Sequence, residues 1–182
     1  SGQRVTNITR TGRLLHRYFL MGKERERIDR ISERRSDGEN EKLLLLYRYF
    51  LPFIAFGMEK RRLYSIDFDS FEEWTEQAFC SFGRREFLKH NRDLCEGIDL
   101  LYPSQGNELQ KMKSVNRIIL AVCSEQCLMT EQNESLRFVN QIMRTFFAAL
   151  HIVNTLTSAI QNKNADALLS VFSLPLRWGV VV

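Results

Sequence analysis

Residues 131–163, EQNESLRFVNQIMRTFFAALHIVNTLTSAIQNK, decide how this chain is read. Leu136, Val139, Met143, Phe146, Leu150, Val153 and Ile160 recur at alternating intervals of three and four, interrupted only by Thr157. That is the period of an α-helix, and Ile142, Ala149 and Leu156 widen the stripe on one side. At about 1.5 Å per residue, a helix starting at Thr130 and ending near Lys163 crosses a whole domain. Its flanking positions hold Ser135, Asn140, Ile142, Phe147, Ala149, Asn154, Leu156 and Gln161, none of them charged. A free-standing coiled coil places charges at such positions. The spacing therefore predicts one long C-terminal core helix, packed against two or more neighbours.

Working outward, the same period recurs. A first helix is expected from Thr11 to Arg35, with Leu14, Tyr18, Met21, Ile28 and Ile31 as a narrow apolar stripe on a charged rod. Lys42 to Met58 is the most apolar stretch, and Leu43 to Leu46 is hydrophobic on every side, the mark of a central helix that Pro52 should kink or end. Ser70-Phe71-Glu72-Glu73 fits a capping box, opening a helix with Phe71, Trp74, Ala78 and Phe82 on one face. Further helices are expected over Arg84 to Leu101 and Asn107 to Leu128, and from the N-cap Asn164 up to Pro175. No strand alternation persists for more than a few residues. The fold class is all-α: a single multi-helix bundle of about seven helices with one long C-terminal core helix. Its organisation reads as a basic N-terminal helix (1–35), a mobile loop at Ser36-Asp37-Gly38-Glu39-Asn40-Glu41 (36–41), and a helical core with an apolar C-terminal tail (42–182).

With 182 residues the chain makes about one domain, large enough for a core without metals or disulfides. The net charge of +4 is unevenly spread. Residues 1–35 hold ten Lys or Arg against four Asp or Glu, +6, so the remainder carries sixteen against eighteen, −2. A basic first helix over a slightly acidic body suits a solvated face or an anionic partner. Cys80, Cys95, Cys123 and Cys127 fall in apolar helical patterns, as reduced thiols do in an intracellular protein, cytoplasmic or nuclear. No run of eighteen apolar residues implies a membrane span. Ser1-Gly2, without a methionine, suggests a piece of a longer protein.

Chemistry-bearing constellations are sparse. Cys123 and Cys127 share a helical face, and His90 with Cys95 would have to complete a zinc site, but the spacings are not those of metal knuckles. His16, His90 and His151 are scattered. The acids Asp67, Asp69, Glu72, Glu73 and Glu76 suit a helix N-terminus better than carboxylate catalysis. The expectation is a non-enzyme without cofactor or metal: a protein–protein interaction or scaffold domain of a larger intracellular assembly, holding a partner helix or peptide in an apolar groove. Tyr18 and Phe19 on the first helix, with Leu176 and Trp178 in the tail, are the candidate contacts, and homo-oligomerisation through the long helix or the tail is compatible with this. The alternative is a nucleic-acid-associated protein using Arg10, Arg13 and Arg17 with the knot Lys60-Arg61-Arg62.

Overall fold

Pro52 sits where the central helix is expected to kink or end, and the helix continues past it. The computed structural model describes residues 10–32, 38–81, 100–102, 106–161, 164 and 166. Residues 10–32 form one helical rod, α1, containing a π-helical turn at Arg17–Gly22. Residues 38–61 form a second rod, α2, made of Gly38–Leu45, a π-helical turn at Leu46–Phe50, and Leu51–Arg61. In a regular α-helix the N–H of residue 52 would meet the carbonyl of Arg48, and proline has no N–H to offer. The wider turn makes room for the ring, and the Arg48 carbonyl takes a donor from elsewhere: the side-chain amide of Asn154, at 2.8 Å. A single proline thus explains both the local widening and a tie to a helix a hundred residues away.

Three more long helices follow: α3 (Phe68–Ser81), α4 (Glu108–Glu125) and α5 (Gln141–Gln161). Asn107 caps α4 through a reciprocal box with Gln110. At α3 the cap lies earlier than Ser70: the Asp67 carboxylate accepts from the Ser70 backbone N–H at 2.6 Å, which holds that carboxyl below its usual range. Both α2 and α4 end with a 6→1 and a shorter return bond, closing on the non-glycine residues Arg62 (φ 57°) and Cys127 (φ 51°).

The chain is mostly helical, but it is not purely so. Where the long helix was expected to begin, Met129–Gln132 (β2) and Ser135–Phe138 (β3) form a hairpin, with Ile66–Asp67 (β1) added on the far side of β3 in an antiparallel β1-β3-β2 sheet. Gln132 pairs with Ser135, leaving Asn133 and Glu134 as a two-residue turn with both φ values positive, 52° and 58°. That twist suits a hairpin, and asparagine tolerates it. Leu136 and Phe138, two apart, enter the core as strand residues, so α5 starts only at Gln141. The described residues hold five long helices. The expected helices over Arg84 to Leu101 and beyond Asn164 fall largely outside them. Of the expected loop at 36–41, residues 38–41 form the first turn of α2, with Asn40 and Glu41 buried.

α2 is the centre of the core. Its Leu51–Arg61 segment packs along α5, and its N-terminal part lies against α1. Arg144 fixes the α5 contact: its Nε donates to Glu59 at 2.8 Å and its Nη1 to the Leu63 carbonyl at 3.1 Å. On the other flank Gly57 admits the Trp74 ring of α3, which a Cβ there would meet at 3.0 Å, and Arg61 stacks over that ring at 4.9 Å.

Candidate functional site

An amphipathic helix shows its apolar side to the core. α5 has two apolar sides, and among the described residues only one holds fully buried side chains. Arg144, Phe147, Ala148 and Ala159 are buried, with His151 and Thr155 half-buried on the same face. Opposite them, at 3.6 residues per turn, lie Ile142, Phe146, Ala149, Val153, Leu156 and Ile160, spaced four, three, four, three and four. Ile142, Val153 and Ile160 are 52%, 55% and 65% exposed, and the three between them are half-buried. The expected core stripe is corrected accordingly: Val139, Val153 and Ile160 face outward, and Met143, Phe146 and Leu150 stand at the margin. The polar anchors choose the face. Arg144 and Asn154 must reach the C-terminal end and the π-helical turn of α2, and those reaches leave Ile142, Val153 and Ile160 outside.

α1 shows the same inversion. Leu14, Tyr18, Met21 and Ile28, expected to be its buried stripe, are all exposed, while Phe19 and Leu20 turn inward from the π-helical turn. The extra residue in such a turn shifts which side chains face the core. Phe19 is 1% exposed, its ring 5.0 Å from Tyr47, 5.1 Å from Phe147 and stacked on Phe146 at 6.1 Å. Burial raises the ionisation of the Tyr47 phenol far above its ordinary value, helped by nearby Tyr18 and Cys123. Phe19 is therefore a core residue and no surface contact. Tyr18, its neighbour, is 64% exposed with its ring edge-on to Phe19 at 5.0 Å. The apolar band of α5 therefore has Tyr18 of α1 near its Phe146, both contacting the buried Phe19 ring.

Arg10, Arg13 and Arg17 are exposed on α1, on the side that carries Leu14 and Met21, and none has an ion-pair partner among the described residues. Lys60, Arg61 and Arg62 are exposed at the end of α2, where Arg61 covers Trp74. Nothing brings this second basic group onto the band. Leu176 and Trp178 lie outside the described residues.

The remaining reactive groups are quiet. Cys123 is buried, which pushes its thiol up to about 12, whereas Cys127 is exposed, so the pair does not pack alike. Among the described residues no three His, Cys, Asp or Glu side chains are grouped to hold a metal, and no helix is long and apolar enough to cross a membrane. His151 is enclosed by Phe53 and Phe56, stacked on the latter at 4.6 Å, and burial lowers its pKa to about 4. Comparison with protein-family models, with curated proteins and with solved structures finds no match to this chain.

Proposed function

We propose that this protein is a non-catalytic interaction module that receives an acidic amphipathic helix of a protein partner along the band formed by α5 and α1. The observation that carries this reading is the second apolar face of α5, heptad-spaced over a helix of 21 residues, about 31 Å long. A partner helix laying its own apolar stripe on that face would be read at intervals of three and four, the mode of helix-in-groove recognition. Three free arginines beside the band favour carboxylates on the partner's flank and would speed encounter.

The test places charges on the exposed stripe, where the fold does not need it. Val153→Glu combined with Ile160→Glu should leave the circular dichroism spectrum and melting temperature essentially unchanged. It should weaken capture of a stoichiometric protein partner at least tenfold, roughly the cost of burying one unpaired charge in part. Capture unaffected by both substitutions would reject the reading. If light scattering instead shows a dimer that the same variant dissociates, the occupant is a second copy.

The exposed Arg10, Arg13 and Arg17 also support the nucleic-acid reading. Phosphate contacts weaken steeply with salt, and nuclease would abolish recovery, whereas apolar burial should lose little under either treatment.

A further inference from the structure

The small sheet borders a second feature, a half-open cavity independent of the α5 band. Directly opposed strand residues share a face, so the pairs Met129–Phe138, Glu131–Leu136 and Ile66–Leu136 put these five side chains on one side of the sheet. Four are buried and apolar, and the fifth is Glu131. Between that face, the C-terminal half of α4 and the start of α3 lies a cavity of about 630 Å³. Its walls are Phe68, Leu120, Cys123, Met129, Leu136 and Val139. Glu131 stands at its mouth with Ser124 and Cys127, all three exposed. Among the described residues no Lys, Arg or His lines it, and Glu131 has neither an ion-pair nor a hydrogen-bond partner.

A volume in the range of about 300–1,000 Å³, mostly apolar walls with Thr130 among them, and one charge at the mouth are the attributes of a small-molecule site. The sign of the charge selects the ligand. An anion would be repelled by the carboxylate, and a neutral molecule would gain nothing from it, the carboxylate staying hydrated. We propose that this cavity binds a cationic amphiphile, its aliphatic body between sheet and α4 and its protonated amine on the Glu131 carboxylate. The head group contributes a charge-assisted hydrogen bond and the chain contributes burial.

Three probes with the same chain separate these contributions: decylammonium, decanol and decanoate, each titrated calorimetrically below its micelle concentration into the full chain. Decylammonium should bind most tightly and decanoate least. Glu131→Gln should reduce decylammonium affinity roughly three- to tenfold, to the level of decanol, and leave decanol unchanged. Ser124→Trp, a substitution at an exposed position that fills the mouth, should abolish all three, with the fold verified by circular dichroism. Bound decylammonium should also slow maleimide alkylation of Cys127, read by peptide mass, which places the ligand at this cavity and not on the α5 band. Failure of decylammonium to bind, equal binding of decanoate and decylammonium, an unchanged preference in Glu131→Gln, or unprotected Cys127 would each overturn the proposal.

Discussion

Removing the Asn154 amide should cost stability only while Pro52 is present. The Asn154 Nδ2 donates to the Arg48 carbonyl at 2.8 Å, the acceptor that residue 52 would serve in a regular helix. One such bond contributes about 0.5–1.5 kcal/mol net. Asn154→Ala also gains helix propensity, about 0.5 kcal/mol for a residue inside α5, so the single variant should fall by only about 0.5 kcal/mol. That figure alone would decide nothing. A double-mutant cycle removes the propensity gain, which is the same in both backgrounds. In Pro52→Ala the residue-52 N–H returns, the π-helical turn can tighten, and the Arg48 carbonyl is satisfied within its own helix. Asn154→Ala should then be neutral or slightly stabilising, a coupling of about 1 kcal/mol. Urea unfolding of the four proteins at one temperature measures it. Equal effects of Asn154→Ala in both backgrounds would refute the argument that proline created the acceptor.

Two further outcomes follow from single residues. His151 is held neutral, with a folded pKa near 4 against 6.5 unfolded, so the unfolded chain binds the extra proton. Stability should fall as pH drops from 6.5 towards 4, by up to about 3 kcal/mol, and His151→Phe, which keeps the stack on Phe56, should flatten that limb of the melting-temperature profile; a parallel profile would refute it. Arg62 closes α2 in the left-handed region at φ 57°, where a Cβ is penalised by about 1–2 kcal/mol and glycine is not. Arg62→Gly should raise stability by up to about 1 kcal/mol in chemical denaturation once the unfolded chain's extra freedom is subtracted, and a loss would mean that the Arg62 side chain contributes more than its backbone costs.

Much of the helical architecture is legible in the sequence: the α4 start at Asn107, the central place of the Leu43 to Leu46 run, of which Leu44 to Leu46 are fully buried, and a long apolar helix, expected from Thr130 to near Lys163 and found over Gln141–Gln161. The hairpin was not, because Leu136 and Phe138 satisfy a strand's period of two while Leu136 and Val139 satisfy a helix's period of three. Asn133 was the available signal, since Asn-Glu is a weaker turn than Asn-Gly and its polar flanks look helical. The faces of α1 and α5 also differ from expectation, for two reasons: on α5 the Arg144 and Asn154 anchors choose the face, and on α1 the cause is local. Phe19 is buried because a π-helical turn advances the register, and no residue type in Arg17–Gly22 announces that turn. Tyr18 was found, but as a neighbour of Phe19 and without the α5 residues that complete the surface. Ile142, Ala149, Val153, Leu156 and Ile160 were visible only as core candidates.

The energetics show why α5 lies as it does. Rolling it half a turn would bury Ile142, Val153 and Ile160, each already about half covered, for a gain of about 1 kcal/mol apiece. It would withdraw Phe147 and Ala148 from the core, and truncating one buried aromatic alone costs about 3–5 kcal/mol. It would also separate Arg144 from Glu59 and Leu63, leaving a nearly buried guanidinium to be resolvated, and return the Arg48 carbonyl to having no donor. The observed orientation therefore wins by several kcal/mol, and the outward stripe is what that choice leaves uncovered. A partner helix can recover the roughly 3 kcal/mol of apolar burial that folding forgoes, without disturbing a single polar anchor. For the same reason Arg144→Met should do more than weaken the fold. With the ion pair gone, the two faces of α5 compete more evenly, and Ile142 and Val153 should gain protection in hydroxyl-radical footprinting while Phe147 loses it. Footprints that stay as in the unaltered chain would show that Phe147 alone sets the face of α5.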